Sequence, residues 1–338
     1  MSGPAVAAHR AVDAWRSLRP RPGVPEGVEL LARRPHSTIY RLTGVGRDGA
    51  PVIAKLSPSS TATIERAVYQ EVLARVPVSA PRFYGLVAEG DGQDWLFVED
   101  VGTERFSPES PAHRTLAAQW LGRLHATAAP LAATTRLPDR GPGHYLRHLR
   151  TGRRMIVDHL HDPTLSADDR EVLLGVRRQC DLLESVWDEV ERICADVPPT
   201  LVHGDLRPKN VRVRATGRGS ALLPIDWETA GWGVPAADLA PSRGLALQSQ
   251  VDLEVYAARA QEYWPGVDTA TLCRLVTVGG LFRRLAAVDW ASHGLVHPWP
   301  QKSVAQLRVY KDELGQLTRS LGPAAEAASA LRPPAAPG

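Results

Sequence analysis

Short strand-like runs of mainly apolar residues recur through the first hundred positions of the chain. Three of them follow one another at 28–33, 38–45 and 50–57, separated by turn-forming residues such as the segment GRDGA. Short runs of this kind between turn signals are typical of β-strands. The pattern therefore predicts an antiparallel meander. Two further runs at 81–89 and 94–102 predict two more strands, joined by the turn GDGQ.

One segment of this region has apolar residues with helical spacing, and after Gly102 such segments become the main pattern. Segment 61–76 has a threonine as its expected N-cap, and its apolar residues recur every four positions. Residues 5–19 predict a short leading helix, which the proline-rich segment after it ends. Further helices are expected over 115–129 and beyond about residue 235.

One long helix is predicted over residues 166–196. Ser166 is a good N-cap, and acidic residues follow it in the first turn. An apolar stripe marks the face expected to be buried, and it consists of Val172, Val176, Cys180, Leu183, Trp187, Val190 and Cys194. Because they lie in this stripe, two of the three cysteines are interpreted as core residues rather than as ligands.

These elements predict an α+β protein with two lobes. A chain of 338 residues is long for one hydrophobic core and suits two domains. Residues 1–101, led by the helix over 5–19, are expected to form a small lobe with one antiparallel sheet and one main helix. Residues 102–322 are expected to form a larger, mostly helical lobe, and 323–338 a disordered tail.

Composition argues against several classes of protein. The formal net charge is only +3, and no run of basic residues with interleaved aromatics is present, so nucleic-acid binding is not expected. No stretch approaches the roughly 20 apolar residues of a membrane span, and the first residues do not resemble a signal peptide. Three cysteines far apart in sequence fit a reducing cytoplasm better than a disulfide framework.

The segment HGDLRPKN contains Asn210, the single asparagine of the chain. It forms a predicted loop between the short strands TLV and VRV, from which His203, Asp205 and Asn210 project together. The apolar strand ALLPI follows, and a charged residue, Asp226, comes directly after it. A hairpin of VRV with ALLPI would bring Asp226 back beside Asn210 and Asp205.

The chemistry of these side chains favours phosphoryl transfer. A carboxylate at the end of a buried strand is costly unless it meets a cation. Asp226 and Asn210 offer a carboxylate and an amide oxygen, which are hard ligands of the kind that Mg²⁺ takes together with phosphate oxygens and water. Asp205, an anion at neutral pH, could then orient a hydroxyl nucleophile and accept its proton.

The pattern H-x-D-x-x-x-x-N, followed by a short hairpin and I-D-W-E, resembles the catalytic core of the aminoglycoside phosphotransferase and choline kinase-like family. The resemblance implies a protein-kinase-like fold and a small-molecule kinase that uses ATP or GTP with Mg²⁺. It implies that Asp205 is the catalytic base and that Asn210 and Asp226 bind the metal. Asp238, in a D-L-A segment like that of the family, would brace the catalytic loop, and His203 would have a structural role.

The small lobe contains matches to the nucleotide site of the same family. Lys55, in the strand pattern V-I-A-K, resembles the lysine that reaches the α- and β-phosphates, and Glu65 resembles its partner on a helix. The segment FVEDVG resembles the hinge, where backbone groups from Glu99 to Val101 meet the nucleotide base. The turn between the first two strands departs from a GxGxxG loop, because it contains no glycine. Backbone N–H groups at Ser37 and Thr38 are the expected phosphate contacts.

The expected acceptor is a neutral or weakly charged hydroxylated small molecule, such as an antibiotic in a resistance setting. Carboxylates suited to a polycationic aminoglycoside are scattered in the helical lobe, and the run RHLRTGRRM is basic. This run is either a solvated helix face or a contact for an anionic group. A metabolic kinase for an amino alcohol, sugar or amino acid is an alternative function. A nucleotide-binding pseudokinase that acts as an interaction module is an alternative of another class, and the oligomeric state is left open.

Overall fold

The secondary structure is taken from a computed structural model that describes residues 9–18, 23–217, 219–241 and 249–321. The strands of the described residues, β1 to β9, are Gly27–Arg34, Ser37–Thr43, Val52–Pro58, Phe83–Gly90, Gln93–Glu99, Thr200–Val202, Val211–Thr216, Gly219–Pro224 and Gly231–Gly233. Their α-helices, α1 to α10, are Arg10–Arg16, Ser59–Ala67, Pro111–Ala128, Pro142–His159, Ala167–Ser185, Trp187–Ala195, Ala236–Leu239, Leu253–Ala260, Thr269–Ser292 and Gln301–Arg319. None of these helices combines the length and the hydrophobicity needed to cross a membrane. The architecture is α+β, as the sequence predicts.

Five strands form one antiparallel sheet in the order β1-β2-β3-β5-β4. The predicted meander is confirmed, because Tyr40 of β2 pairs with Leu30 of β1 on one side and with Ala54 of β3 on the other. The alternating apolar side chains of these strands share a buried core with helix α1. Trp15 of α1 contacts Phe97 of β5 edge to face, with the ring centroids 5.4 Å apart.

Within the described part of the predicted range 5–19, one short helix is present. Residues Arg10–Arg16 are helical, and His9 caps the N-terminus by accepting a hydrogen bond from the backbone N–H of Ala11. Residues 5–8 and 19 lie outside the described residues, as does the predicted tail over 323–338.

Helix α2 begins earlier than predicted and has no side-chain cap. It starts at Ser59, directly after β3, and Thr61 donates its hydroxyl to the carbonyl of Pro58 (2.9 Å) within the first turn. The prediction of a threonine cap is therefore wrong, because the helix continues straight from the strand. The rest of the predicted segment is a π-helical turn and a 3-10 turn, which are Val68–Val72 and Leu73–Arg75.

The helix predicted over 166–196 consists of two helices, α5 and α6, which meet at Val186. Ser166 caps α5 as predicted, in a reciprocal capping box with Asp169. Val186 leaves helical geometry (φ −118°, ψ 20°), so the prediction of one helix is wrong. The predicted apolar stripe is confirmed, since all seven of its residues are buried and it continues on both sides of the break.

The chain forms two compact units. The first contains Met1–Pro138 and Asp205–Gly231, and its described elements include the five-stranded sheet, α3 and the strands β7 and β8. The second contains Asp139–Gly204 and Trp232–Gly338, and in it α9 packs against α4, α7 and α10. These boundaries differ from the lobe boundary expected between residues 101 and 102. The lobe boundary stays a prediction.

All three cysteines lie in helices of the second unit. Cys180 and Cys194 are buried, and burial raises the pKa of both thiols to about 12. Cys273 is exposed near the start of α9. The two buried cysteines belong to the apolar stripe and are packing residues, as the sequence predicts.

Candidate active site

Strands β7 and β8 form the hairpin that the sequence predicts. Their antiparallel register pairs Val211 with Pro224 at one end and Thr216 with Gly219 at the other. Beyond the paired strands, the backbone N–H of Ile225 donates to the carbonyl of Asn210 (2.9 Å). Asn210, directly before β7, and the residue that follows Ile225 therefore lie at the same end of the hairpin.

The amide of Asn210 has a fixed orientation. The side chain is only 4% exposed, and Nδ2 donates both to the backbone carbonyl of Asp205 and to Asp205 Oδ2, each over 3.0 Å. Because both bonds involve Nδ2, the amide oxygen faces another direction. It has no hydrogen-bond partner within the described part of the chain. Asn210 thus holds Asp205 and keeps an oxygen ligand available.

Asp226 has a backbone conformation that few residues adopt. Its φ is +68°, in the left-handed region, at the point where the chain leaves β8. Aspartate enters this region more readily than most residues, and such conformations are concentrated at functional sites. The carboxylate contacts a lysine of the sheet, since Asp226 Oδ1 lies 2.5 Å from Lys55 Nζ.

Lys55 lies among three carboxylates. Its Nζ is 2.6 Å from Glu65 Oε1 and 3.6 Å from Glu228 Oε2, in addition to its contact with Asp226. Burial lowers the pKa of Lys55, but the negative charges of Glu65 and Asp226 outweigh burial and raise this pKa above its ordinary value. Burial raises the pKa of Glu65 to about 6, because Lys55 offsets burial only in part and Asp226 adds a second negative charge.

The side chains around Lys55 fit a divalent cation. One oxygen each of Glu65, Asp226 and Glu228 lie within 4.8 Å of one another. Three carboxylates exceed the charge of the single ammonium, and Asn210 offers a neutral amide oxygen from the end of the same hairpin. Carboxylate and amide oxygens are the ligands that Mg²⁺ prefers. The residues predicted to bind the metal therefore have the right chemistry for it.

Asp205 contacts an arginine as well as Asn210. Arg207 Nη2 donates to Asp205 Oδ2 over 2.6 Å, and Arg207 Nε lies against Asp205 Oδ1. Lys209 Nζ is 3.7 Å from Asp205 Oδ2. The structure thus groups the predicted catalytic residues in two sets, one of Asp205 with Asn210 and one of Lys55 with Glu65 and Asp226.

Within the second unit, the backbone before Asp205 is held by Asp238. This buried carboxylate accepts hydrogen bonds from the backbone N–H of His203 (2.7 Å) and of Gly204 (2.9 Å). Asp238 lies on α7, and Gln250 in turn donates to its backbone carbonyl (2.8 Å). These contacts are of the kind expected of a bracing residue.

The predicted hinge follows strand β5. The backbone N–H of Glu99 donates to the carbonyl of Arg82 (2.8 Å), and the Glu99 carboxylate binds Arg214 (2.5 Å), so this residue is already engaged. Val101 is buried, and its backbone N–H and carbonyl have no hydrogen-bond partner among the described residues. Of the two hinge residues named from the sequence, Val101 has backbone groups available for a nucleotide base.

The predicted phosphate contacts lie in the sheet rather than in an open loop. Ser37 and Thr38 are the first residues of β2, after a two-residue turn at Pro35 and His36. Thr38 is paired on both sides, and its neighbours are Arg33 and Leu56. Neither residue of the turn has a positive φ, which agrees with the absence of glycine there.

A sequence model of the phosphotransferase enzyme family matches residues 29–273, which is most of the chain. The matched range contains both sets of predicted catalytic residues. The chain belongs to this family. No curated protein is similar enough in sequence to give a significant match.

Solved structures of small-molecule kinases have the same fold as this phosphotransferase. A GDP complex of an aminoglycoside 2′-phosphotransferase-IIIa variant is 16% identical and has a TM-score of 0.60, covering 88% of this chain and 94% of that chain. A microcompartment-associated aminopropanol kinase is 16% identical with a TM-score of 0.61, covering 92% and 96%. The ethanolamine kinase of Plasmodium vivax is 17% identical with a TM-score of 0.53, covering 96% and 88%. At these identities the similarity establishes the kinase-like fold, with an antiparallel N-terminal lobe and a larger helical lobe.

Two charged residues of the site, Arg207 and Glu228, are not singled out by the sequence patterns. Glu228 is the last residue of I-D-W-E, two positions after Asp226, and this spacing is the signal that could have identified it. Arg207 follows Asp205 by two positions, but its opposite charge alone does not predict a contact in a loop. Their places beside Lys55 and Asp205 become evident only from the structure.

Proposed function

We propose that this phosphotransferase moves the γ-phosphate of ATP or GTP to a hydroxyl group of a small molecule, with Mg²⁺ as cofactor. The observation that carries the proposal is the hairpin β7–β8, which presents Asn210 and Asp226 at one end. Asn210 holds Asp205 there, and Asp226 contacts Lys55 of the sheet. Phosphoryl transfer requires mainly positioning and charge neutralisation, which these groups supply.

Each of these residues has a distinct role in the proposal. Lys55, held by Glu65, binds the α- and β-phosphates of the nucleotide. Asp226 and Asn210 hold the metal, which when bound would neutralise charge on the phosphate oxygens. Asp205 orients the acceptor hydroxyl and accepts its proton. The hinge from Glu99 to Val101 receives the nucleotide base, and Ser37 and Thr38 remain the proposed phosphate contacts of the first turn.

The charges of the second unit support a neutral or weakly charged acceptor, such as a hydroxylated antibiotic. Asp289 contacts His148 (2.6 Å), and the Asp252 carboxylate caps helix α8. Glu262 pairs with Arg259 (3.0 Å). Because these carboxylates have partners within their own unit, they are poorly suited to bind a strongly cationic acceptor.

The basic run on α4 is partly a contact between helices. Arg150 pairs with Glu184 (2.7 Å), and Arg153 pairs with both Asp181 (3.0 Å) and Glu184 (2.6 Å) of α5. Arg150 is still 58% exposed, as expected of a solvated face, whereas Arg153 is only 27% exposed and does not fit that expectation. Arg147 and Arg154 are exposed, and they keep open the other interpretation, a contact with an anionic group.

A metabolic kinase is the second candidate. The structural similarity to an aminopropanol kinase and an ethanolamine kinase favours it, since both names denote kinases of amino alcohols. Sugars and amino acids complete the range of acceptors for this candidate. A pseudokinase that only binds nucleotide is disfavoured, because Asp205, Asn210 and Asp226 are all present.

An acceptor screen tests the proposal. The protein is incubated with Mg²⁺ and either ATP or GTP against uncharged hydroxylated antibiotics, amino alcohols, sugars, amino acids and polycationic aminoglycosides. We expect acceptor-dependent phosphorylation that EDTA abolishes. A polycationic aminoglycoside turned over far better than all other acceptors would contradict the proposed acceptor class. Nucleotide binding without transfer to any acceptor would instead favour the pseudokinase.

The substitution Asp205→Asn tests the role of the base. Asparagine keeps the shape of the side chain but cannot accept the proton, so we expect turnover to fall by about 10² to 10⁴. Affinity for the nucleoside diphosphate, measured by isothermal titration calorimetry, should stay the same. Near-normal turnover in this variant would remove Asp205 from the role of base.

A further inference from the structure

Arg207 forms a two-point contact with the proposed catalytic base. Its Nη2 donates to Asp205 Oδ2 over 2.6 Å, and its Nε lies against Asp205 Oδ1 as an ion-pair contact without a hydrogen bond. The side chain of Asp205 is 17% exposed and that of Arg207 is 39% exposed. The guanidinium therefore donates to Asp205 Oδ2, an oxygen that could otherwise accept the proton of an acceptor hydroxyl.

The backbone of Arg207 is fixed, whereas its side chain is tied to Asp205 alone. The backbone N–H donates to the carbonyl of Asp205 (2.8 Å), and the backbone carbonyl accepts from the N–H of Asn210 (2.7 Å). Among the described residues the guanidinium forms hydrogen bonds or ion pairs with no side chain but Asp205. Rotation of the side chain would move the charge without disturbing the loop.

Neighbouring arginines of the hairpin are held by groups without a proposed catalytic role. Arg212 donates to the backbone carbonyls of Gly102 (3.2 Å) and Lys209 (2.7 Å), and Arg214 binds the Glu99 carboxylate. Arg207 is thus the arginine of this segment that contacts the proposed base. A planar fork of donors that matches a carboxylate also matches the oxygens of a phosphate group.

We propose that Arg207 leaves Asp205 when a nucleoside triphosphate binds, and that its guanidinium then binds the oxygens of the γ-phosphoryl group. The inference rests on the proposed function. In the transfer step, the acceptor oxygen forms a bond to the γ-phosphorus, and the bond from this phosphorus to the β,γ-bridging oxygen breaks. The bridging oxygen keeps the electron pair, and the hydroxyl proton passes to Asp205, whose edge Arg207 has vacated. Arg207 thereby uncovers the base and neutralises the transferring group.

Nucleotide binding distinguishes this role from a structural one. Affinities for a non-hydrolysable triphosphate analogue and for the matching diphosphate are measured with Mg²⁺, with adenine and guanine nucleotides in parallel. In Arg207→Gln we expect the triphosphate analogue to bind about tenfold more weakly or worse, the usual cost of a lost bond to a charged group. The diphosphate, which has no γ-phosphate, should bind as in the unaltered protein. Arg207→Lys keeps the charge but loses the fork of donors. Its affinity for the triphosphate analogue should therefore lie between the affinities of Arg207→Gln and of the unaltered protein.

Arg192→Gln is the matched control. Arg192 binds Glu189 of α6 through Nε and Nη2, so it forms the same kind of pair in the other unit. Arg192→Gln should change neither the affinity for the triphosphate analogue nor that for the diphosphate. Turnover of Arg207→Gln should fall by about 10² to 10³, the range for removal of one preorganised donor at a reacting group.

Three outcomes would overturn the inference. If Arg207→Gln weakens triphosphate and diphosphate equally, or weakens neither, the arginine does not bind the γ-phosphoryl group. If Arg207→Gln does not fold, Arg207→Lys is used instead. The same conclusion follows if the ratio of its triphosphate and diphosphate affinities equals that of the unaltered protein. If the unaltered protein binds no nucleotide at all, the proposed function itself fails, and this inference fails with it.

Discussion

Lys55 is a single ammonium among three carboxylates, and this imbalance determines how the residues of the site respond to substitution. Lys55 can neutralise only one of Glu65, Asp226 and Glu228, so the cluster keeps negative charge at neutral pH. Like charges held close together in a buried place raise the cost of ionisation. A divalent cation bound by Asp226, or a proton held by Glu65, relieves this cost.

The substitution Asp226→Ala should abolish the Mg²⁺-dependent part of nucleotide binding, because it removes the carboxylate proposed as the main metal ligand. Calorimetric titration of nucleotide with Mg²⁺ and with EDTA measures this part. Asp91→Ala is a matched control, since Asp91 also has a left-handed backbone (φ 52°) but lies in the exposed turn between β4 and β5. Equal nucleotide affinity of Asp226→Ala and the unaltered protein with Mg²⁺ present would refute the metal assignment.

Glu65 should make the stability of the protein fall as the pH rises. Its pKa is raised from 4.5 to about 6 in the folded protein, so the folded state holds this proton more tightly than the unfolded state does. The resulting stabilisation is complete below the unfolded pKa and is lost as the pH rises through the folded value. In Glu65→Gln, which carries no titratable proton, this contribution to the pH dependence is absent.

Urea unfolding at a series of pH values measures the effect of Glu65→Gln. Between about pH 4 and pH 7, the difference in unfolding free energy should shift by about 2 kcal/mol in favour of the variant. Glu71→Gln is the control, because Glu71 is a partly exposed residue of the following turn that pairs with Arg66 (3.4 Å). If the unfolding free energies of the unaltered protein and of Glu65→Gln change in parallel with pH, the pKa of Glu65 is not raised in the folded protein.

At the scale of elements, the contact of α9 with α7 is made by the backbone. A Cβ at Gly279 would lie 1.9 Å from the carbonyl oxygen of Ala236 and 2.9 Å from the Cβ of Ala240. Helix α7 also carries Asp238, which accepts the backbone N–H groups of His203 and Gly204. The absence of a side chain at Gly279 therefore lets α7 take the position from which Asp238 holds this backbone.

The substitution Gly279→Ala should destabilise the protein by about 3 kcal/mol, the upper part of the usual range for overpacking, because backbone atoms must move. Gly280→Ala is the matched control on the same helix. Its Cβ would meet only Leu317, whose nearest atom, Cδ2, is the end of a flexible side chain at 3.0 Å, and alanine favours helix by up to about 1 kcal/mol. Chemical denaturation compares the two variants, and equal stability of both would contradict the backbone contact.

Elements with strong local signals could be predicted from the sequence, and breaks without such signals could not. Short apolar runs between turn signals predicted all five strands of the sheet, and the turn residues predicted the hairpin β7–β8. The break at Val186 has no proline or glycine to mark it, and the apolar stripe continues through it. The π-helical turn after α2 likewise has no proline or glycine to mark it.

For the whole molecule, binding of nucleotide with Mg²⁺ should raise the thermal unfolding midpoint. A ligand at 100 times its dissociation constant stabilises the folded state by about 2.7 kcal/mol, which corresponds to a shift of about 5 °C or more for a large domain. Differential scanning fluorimetry with ADP or GDP measures the shift, and EDTA should remove most of it. The same shift with and without Mg²⁺ would contradict a metal-dependent site.

The candidate site could be predicted in part, because its catalytic residues are spaced by a loop and a hairpin. Asp205, Asn210 and Asp226 lie within 22 positions of one another, where local geometry determines proximity. The contact of Lys55 with Asp226 joins residues 171 positions apart, and no pattern in the sequence predicts it. Arg207 and Glu228 were missed, since short-range charge patterns do not determine which carboxylate or ammonium a side chain meets.

The unequal exposure of the three cysteines has a practical consequence for spectroscopy. Cys180 and Cys194 are buried, with thiol pKa values near 12, so they form little thiolate at neutral pH and react slowly. Cys273 is exposed on α9. A maleimide dye or spin label should therefore attach to Cys273 without any engineered cysteine, and it would report on α9 in the otherwise unaltered protein as nucleotides and acceptors are added.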